Sequence, residues 1–300
     1  MQTLGTDDAE AEVSRSFLFV PGDSEKKLAK ATDSDADALI VDLEDSVTAA
    51  ARPAARKLAA EFLRQEIHAE QWVRINPLDT SDALDDLRTI MAAAPFGIVL
   101  PKPRGANDAN QLAKLLEVLE QEHGLSPGQT RILPIATERP AALFNMGDYA
   151  EATPRLAALT WGAEDLGTAL GATTSRDTDG EWLAPYQLAR SLCLMAAAAA
   201  GVAAIDTVYT DFRDRDGLAR FAAAARRDGF EGMLAIHPDQ VGIINRAFVP
   251  SAEEIGRAER IVALFAANPD AGTIGMDGEM IDRPHWLQAK RILKSAARRT

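Results

Sequence analysis

One cysteine and four histidines in 300 residues are too few for a disulfide framework or a Cys/His zinc cluster. That scarcity places the chain in a reducing compartment and gives a cytoplasmic expectation. Basic side chains are also in the minority, 32 against 45 acidic, and the resulting charge of -13 repels polyphosphate, so nucleic acid is excluded as a partner. Long hydrophobic runs are missing as well. The most apolar stretch, Leu192 to Ile205, falls short of the roughly twenty residues a bilayer span requires, which excludes a membrane protein. It reads instead as an Ala-rich packing helix, and Cys193 within it as a buried, inert thiol. The first residues, 1–14, lack the basic start and apolar core of a signal peptide and read as a disordered acidic tail.

What the chain has is a repeating unit. Eight short apolar, β-branched runs begin at Ser16, Ala38, Gln71, Gly97, Arg131, Ala158, Ala204 and Gly232, and most are followed by a polar turn and a helix-period segment. The runs are nearly continuous rather than alternating, as parallel strands covered on both faces are. Eight βα units in residues 15–250 predict an α/β fold, a (β/α)8 TIM barrel. An open doubly wound sheet is the alternative, but no G-x-G-x-x-G turn follows the first run. Residues 251–300 exceed what the barrel needs: a helix, a Gly-rich link and a last helix, expected to pack over a barrel mouth, its own or a neighbour's.

In such barrels the chemistry sits at the C-terminal strand ends. The residues closing each run are Asp42, Glu44 and Asp45, then Arg74 and Asn76, Lys102, Glu138, Glu164 and Asp165, Asp211 and His237. Glu138 and Asp165 close consecutive runs, so their carboxylates can converge. Oxygen donors without His or Cys favour a hard ion, Mg²⁺ above Ca²⁺ where substrate needs room. The structural alternative is that each acid caps a helix or pairs with a neighbour such as Arg139. Arg74 can grip a substrate carboxylate in a bidentate fork, or serve as an internal partner of Glu44 or Asp45. Lys102 has the position of a Schiff-base lysine, a role that a neighbouring cation would make redundant. His237 reads as a structural hydrogen-bonding residue, and His285 carries no pattern. Lys26, Lys27, Arg52 and Arg56 form a basic rim, either solvated helix faces or a seat for a phosphate-bearing ligand.

The ordered set FLFVPGDSEKKL, LIVDLEDSV, VRIN, LPKP, PIATE, WGAEDLGTALGAT, AIDTVYTDFRD, IHPDQ and DGEMIDRPH resembles the citrate lyase beta-subunit-like branch of the HpcH/HpaI aldolase family, the acyl-CoA lyases that include malyl-CoA lyase and citramalyl-CoA lyase. The resemblance runs from about Arg15 to the last helix. It implies a barrel binding Mg²⁺ through Glu138 and Asp165, with Arg74 holding the substrate carboxylate. It implies further that Asp282 lies on a C-terminal segment, 251–300, covering the active site of a neighbouring subunit in a homotrimer or hexamer. The activity implied is carbon–carbon cleavage of a 3-hydroxyacyl-CoA carrying a carboxylate into acetyl-CoA and a 2-oxo acid, glyoxylate or pyruvate. Asp282 would protonate the acetyl-CoA enol, Glu44 and Asp45 would orient Arg74 and water, and CoA would lie near Lys26, Lys27, Arg52 and Arg56. Gly162 and Ala163 leave space at the mouth for either oxo acid. The alternatives are a malyl-CoA-type thioesterase and a citrate lyase beta subunit acting on a carrier-bound citryl group.

Overall fold

The structure is a computed structural model that describes residues 13–297, so most of the predicted acidic tail lies outside the described residues. The described chain forms two compact units, 13–245 and 246–297. Among the described residues no helix is long and apolar enough to cross a membrane.

The first unit carries eight parallel strands: β1 (Ser16–Pro21), β2 (Ala38–Asp42), β3 (Glu70–Arg74), β4 (Gly97–Leu100), β5 (Arg131–Pro134), β6 (Ala158–Thr160), β7 (Ala203–Asp206) and β8 (Gly232–Ala235). The hydrogen-bonded order is β5-β4-β3-β2-β1-β8-β7-β6. Bridges Ile132↔Leu156 and Ile135↔Thr160 then join β5 to β6, which closes the (β/α)8 barrel. Helices α1 (Glu25–Ala31), α2 (Arg52–Phe62), α3 (Ser81–Ile90), α4 (Ala106–His123), α5 (Glu164–Leu170), α6 (Ala184–Ala200), α7 (Arg215–Asp228) and α8 (Pro238–Ala247) accompany the strands. A 3-10 run, Pro140–Glu151, follows β5 where a helix would stand, and α5 is a short extra helix before α6.

Period-two alternation sorts each strand. Phe17, Ala38, Ile40, Trp72, Val99, Leu133, Ile205 and Leu234 belong to one buried cluster, the barrel interior. Counting on by two from Ile40 and from Trp72 reaches Asp42 and Arg74, the strand-end residues facing the same way. These two are partners in the β2–β3 register, so they stand at one level of the barrel. Trp72 fills the interior only because β4 opens with glycine: a Cβ on Gly97 would come within 2.3 Å of its ring.

The second unit builds its own small core. Helix α9 (Ala252–Ala267) starts with a Ser251/Glu254 capping box and packs on α10 (Arg283–Ala297) through Ile261, Phe265, Trp286 and Leu293. The segment expected to be a Gly-rich link is instead a β-hairpin, β9 (Thr273–Met276) and β10 (Glu279–Asp282). Its turn is Asp277-Gly278, both at positive φ (56° and 85°), the Asp-Gly pair that two-residue hairpins prefer.

Candidate active site

A cavity of about 410 Å³ opens at the C-terminal strand ends of the first unit. Asp42, Asp45, Arg74, Glu138, Glu164 and Asp165 supply its polar wall; Phe19, Ile135, Trp161, Leu234 and Ile236 supply the apolar one, with Gly162 and Ala163 between them. The strand ends therefore converge as barrel geometry requires.

Arg74 is held first by Asp42, the partner that sequence reasoning did not choose. Its Nε and Nη2 donate to the two Asp42 carboxylate oxygens at 2.7 Å each, a bidentate fork, and its guanidinium lies 4.8 Å above the Phe19 ring. The strand register explains the choice, since Glu44 and Asp45 lie past the end of β2. They meet Arg74 only through Nη1, at 3.3 and 3.9 Å. Burial works to raise the Asp42 pKa, but the Arg74 bonds and charge outweigh it and hold that carboxyl below its ordinary value. Burial likewise opposes the Arg74 charge, and Asp42 more than restores it.

Glu138 is 4% exposed. Burial pushes its carboxyl well above the usual carboxylate range; the Lys102 N–H opposes that, and the negative charges of Glu44 and Asp165 add to it. Arg139, the expected alternative partner, pairs with Asp79 at 2.8 Å and leaves Glu138 to the cavity. Gly162 makes room for it, because a Cβ there would come within 2.9 Å of Glu138 Cγ. Asp165 sits in the first turn of α5, 3.3 Å from the Lys102 ammonium. Among the described residues no three His, Cys, Asp or Glu side chains enclose an ion by themselves. Glu138 and Asp165 are two like charges at one cavity wall, the deeper one short of positive charge. That donor set fits a hard divalent cation whose remaining positions belong to water and substrate.

Lys102 is engaged by Glu44 Oε1 at 2.5 Å and Asp45 Oδ2 at 3.0 Å. Burial would lower its pKa, but the Glu44 and Asp45 contacts raise it, so its amine stays charged and is unsuited to Schiff-base attack. For Glu44, burial prevails over Arg74 and Lys102 and raises the carboxyl.

Several expectations need correction. Arg56 is buried between α2 and α3 on Asp82 and Asp86, and Arg52 pairs with Asp82 at 2.6 Å, so both are engaged by acids of α3 instead of standing as solvated cations. Their partners come one helix later, at Asp82 and Asp86, whose i,i+4 spacing was the available signal. Lys26 and Lys27 remain exposed on α1. Asn76 is buried, donating to Leu43 and Asp86. The last residue of β7 is Asp206, not Asp211. Asp206 is fully buried, accepts from Trp161 Nε1 at 2.6 Å and pairs with Arg190 at 2.7 Å, fixing one cavity wall. Asp211 caps the backbone at Arg213 in the following loop. Cys193 has Arg190 as a basic neighbour, yet burial pushes its thiol up and keeps it inert, as expected of it. His237 accepts from the Asp239 N–H and stacks on Phe212, a structural role.

In the second unit, Asp282 closes β10 and its Oδ1 lies 2.5 Å from His285 Nδ1. That partner was not expected, although i,i+3 spacing across a helix start was the signal.

A family model described as HpcH/HpaI aldolase/citrate lyase matches residues 15–238. The chain belongs to that family. Citrate lyase subunit beta of Leuconostoc mesenteroides subsp. cremoris is 35% identical, the match covering 94% of this chain and 93% of that protein. The mitochondrial citramalyl-CoA lyase of Rattus norvegicus is 32% identical, covering 94% and 86%. Among solved structures, the CitE protein of Mycobacterium tuberculosis in complex with magnesium, acetoacetate and coenzyme A superposes with a TM-score of 0.79 at 31% identity, covering 94% of this chain and 98% of that one.

Proposed function

We propose that this family member is a Mg²⁺-dependent carbon–carbon lyase, an oxo-acid lyase cleaving a carboxylate-bearing 3-hydroxyacyl-CoA of the malyl-CoA or citramalyl-CoA type into acetyl-CoA and glyoxylate or pyruvate. The observation that carries it is one cavity presenting the fixed guanidinium of Arg74 beside the carboxylates of Glu138 and Asp165. The relatives named a lyase, and the neighbour crystallised with magnesium, acetoacetate and coenzyme A, support the same chemistry.

Glu138 and Asp165 would hold Mg²⁺, which when bound supplies a Lewis acid for the substrate oxygens next to the scissile bond. Arg74 binds the substrate carboxylate through Nη1, the nitrogen that Asp42 leaves loosely engaged. Asp42 keeps the fork from turning, so the carboxylate is oriented before the reaction starts. Glu44 and Asp45 hold Arg74 and Lys102 in place from the other side. Transfer of the hydroxyl proton to a base forms the C=O of the 2-oxo acid as the adjacent C–C bond breaks, its electron pair passing into the enolate of acetyl-CoA. The apolar wall of Phe19, Trp161 and Leu234 keeps water from the enolate that forms. Asp282, supplied by the 251–300 segment of a neighbouring subunit, protonates the enol carbon, and exposed Lys26 and Lys27 border the CoA path. Cytoplasmic location fits the single buried thiol.

The test is release of the 2-oxo acid from malyl-CoA and from citramalyl-CoA, with Mg²⁺ and with EDTA, while free thiol is followed separately. Oxo acid with acetyl-CoA, only with Mg²⁺, is the expected result and names the substrate. Free thiol without oxo acid replaces the lyase by a thioesterase. Turnover only of a carrier-linked citryl group makes the chain a citrate lyase beta subunit.

A further inference from the structure

Lys102 touches both of the carboxylates assigned to the cation. Its backbone N–H donates to Glu138 Oε2 at 2.5 Å, and its ammonium stands 3.3 Å from Asp165 Oδ1. The residue holds φ at 49° between Pro101 and Pro103, a left-handed backbone that side chains other than glycine rarely adopt and that a following proline restricts further. Such a conformation persists where its surroundings over-determine it. Here the two ends of one residue are fixed by different acids.

The charge count gives this arrangement a purpose. Asp42, Glu44, Asp45, Glu138 and Asp165 meet only Arg74 and Lys102 in these contacts, and Asp42 takes two of the Arg74 nitrogens. Lys102 is thus the nearer positive charge for Glu44 and Asp45, at 2.5 and 3.0 Å against 3.3 and 3.9 Å for Arg74, and it also reaches Asp165. A divalent ion on Glu138 and Asp165 would face that ammonium across a half-buried site, where solvent screens little.

We propose that Lys102 is the internal counter-ion of the site: its ammonium holds the acids together when no divalent cation is bound, then yields Asp165 to the cation while keeping Glu44 and Asp45. Lys102 thereby sets how tightly the cation is held. The proposal rests on Glu138 and Asp165 being the ligands.

Calorimetric titration with Mn²⁺, a probe for Mg²⁺, tests it on the wild type, Lys102→Met, Lys102→Gly and Glu138→Gln. Removing the ammonium should tighten Mn²⁺ about tenfold. The same variant should melt below the wild type without metal, with the gap closing at saturating Mn²⁺. Lys102→Gly keeps the N–H on Glu138 and relieves the left-handed backbone, so it should bind Mn²⁺ equally tightly even if Lys102→Met folds poorly. Unchanged or weaker Mn²⁺ affinity in both Lys102 variants, with binding lost in Glu138→Gln, overturns the counter-ion and leaves the ligand assignment standing. Wild-type Mn²⁺ affinity in Glu138→Gln overturns the ligand assignment and this proposal with it.

Discussion

Gly162 shows how much a missing side chain decides at the residue scale. It separates Trp161, anchored on buried Asp206, from Ala163 at the start of α5, and Glu138 Cγ lies only 2.9 Å from where its Cβ would be. An alanine there must shift the Glu138 side chain from its observed position, because the backbone of Gly162 is itself tied to Thr137. Gly162→Ala should therefore weaken Mn²⁺ binding by roughly 10–100-fold, the range seen when groups supporting a metal ligand are altered. Calorimetry reads it, and an unchanged affinity would remove Glu138 from the cation site. The residue types at the mouth were legible in the sequence, because strand-end polar residues in a barrel point to one place. The partner of Arg74 was not, since choosing Asp42 over Glu44 requires knowing that β2 ends at Asp42 and pairs in register with Arg74. The pairing of Arg56 was hidden for a similar reason: composition counts it as a cation but cannot show that Asp82 and Asp86 lie against it.

At the scale of elements, the eight strands were legible because continuous apolar runs flanked by turn chemistry have few other solutions. Their ends were less so. The run beginning at Ala204 continues past Asp206 in β-favouring residues, Thr207, Val208 and Tyr209, but pairing with β8 stops at Asp206, which shifts the strand-end acid by five residues. The hairpin at 273–282 was hidden by its glycines, although Asp277-Gly278 is a strong turn signal. Where β5 meets β6 the sheet is joined through isolated bridges, and a buried ion pair clamps that joint. Glu120 at the end of α4 accepts from Arg155 at 2.6 and 2.7 Å, and also from the Thr130 and Gly128 N–H groups just before β5. Burial would raise the Glu120 pKa, but Arg155 and the two N–H groups hold it at about 2. Its folded value lies below the unfolded one, so the stabilisation is complete above about pH 4.3 and is lost as pH falls toward 2. Glu120→Gln leaves the buried Arg155 charge uncompensated and should cost about 3–5 kcal/mol at neutral pH. In urea unfolding the difference from wild type should narrow on going from pH 7 to about pH 3. A constant difference across that range would mean that the pair contributes through packing instead of charge.

For the whole molecule the question is what the second unit does. Its sequence was legible as an appendage of two helices, and its fold explains how so short a segment stands on its own core. Ile261, Met276, Ile281 and Ala289 pack together, while Arg257–Glu279 and Arg260–Asp277 tie α9 to the hairpin. The hairpin leaves Asp282 at its last position with His285 against one oxygen, an acid held in a defined orientation. If that acid serves a reacting carbon as proposed, a segment donated head-to-tail around a closed ring would bring one to every barrel. Each working site would then draw Arg74 from one chain and Asp282 from the next. Arg74→Ala and Asp282→Ala proteins, each inactive alone, should complement each other after subunit exchange. With equal amounts and random exchange, about a quarter of the sites combine an intact Arg74 with an intact Asp282, so activity should return to roughly that fraction of wild type. The measurement is oxo-acid release before and after exchange, with mixing verified by mass spectrometry of the intact assembly. If exchange is complete and activity stays absent, the two residues act within one chain, and the second unit must serve the barrel to which it is covalently joined.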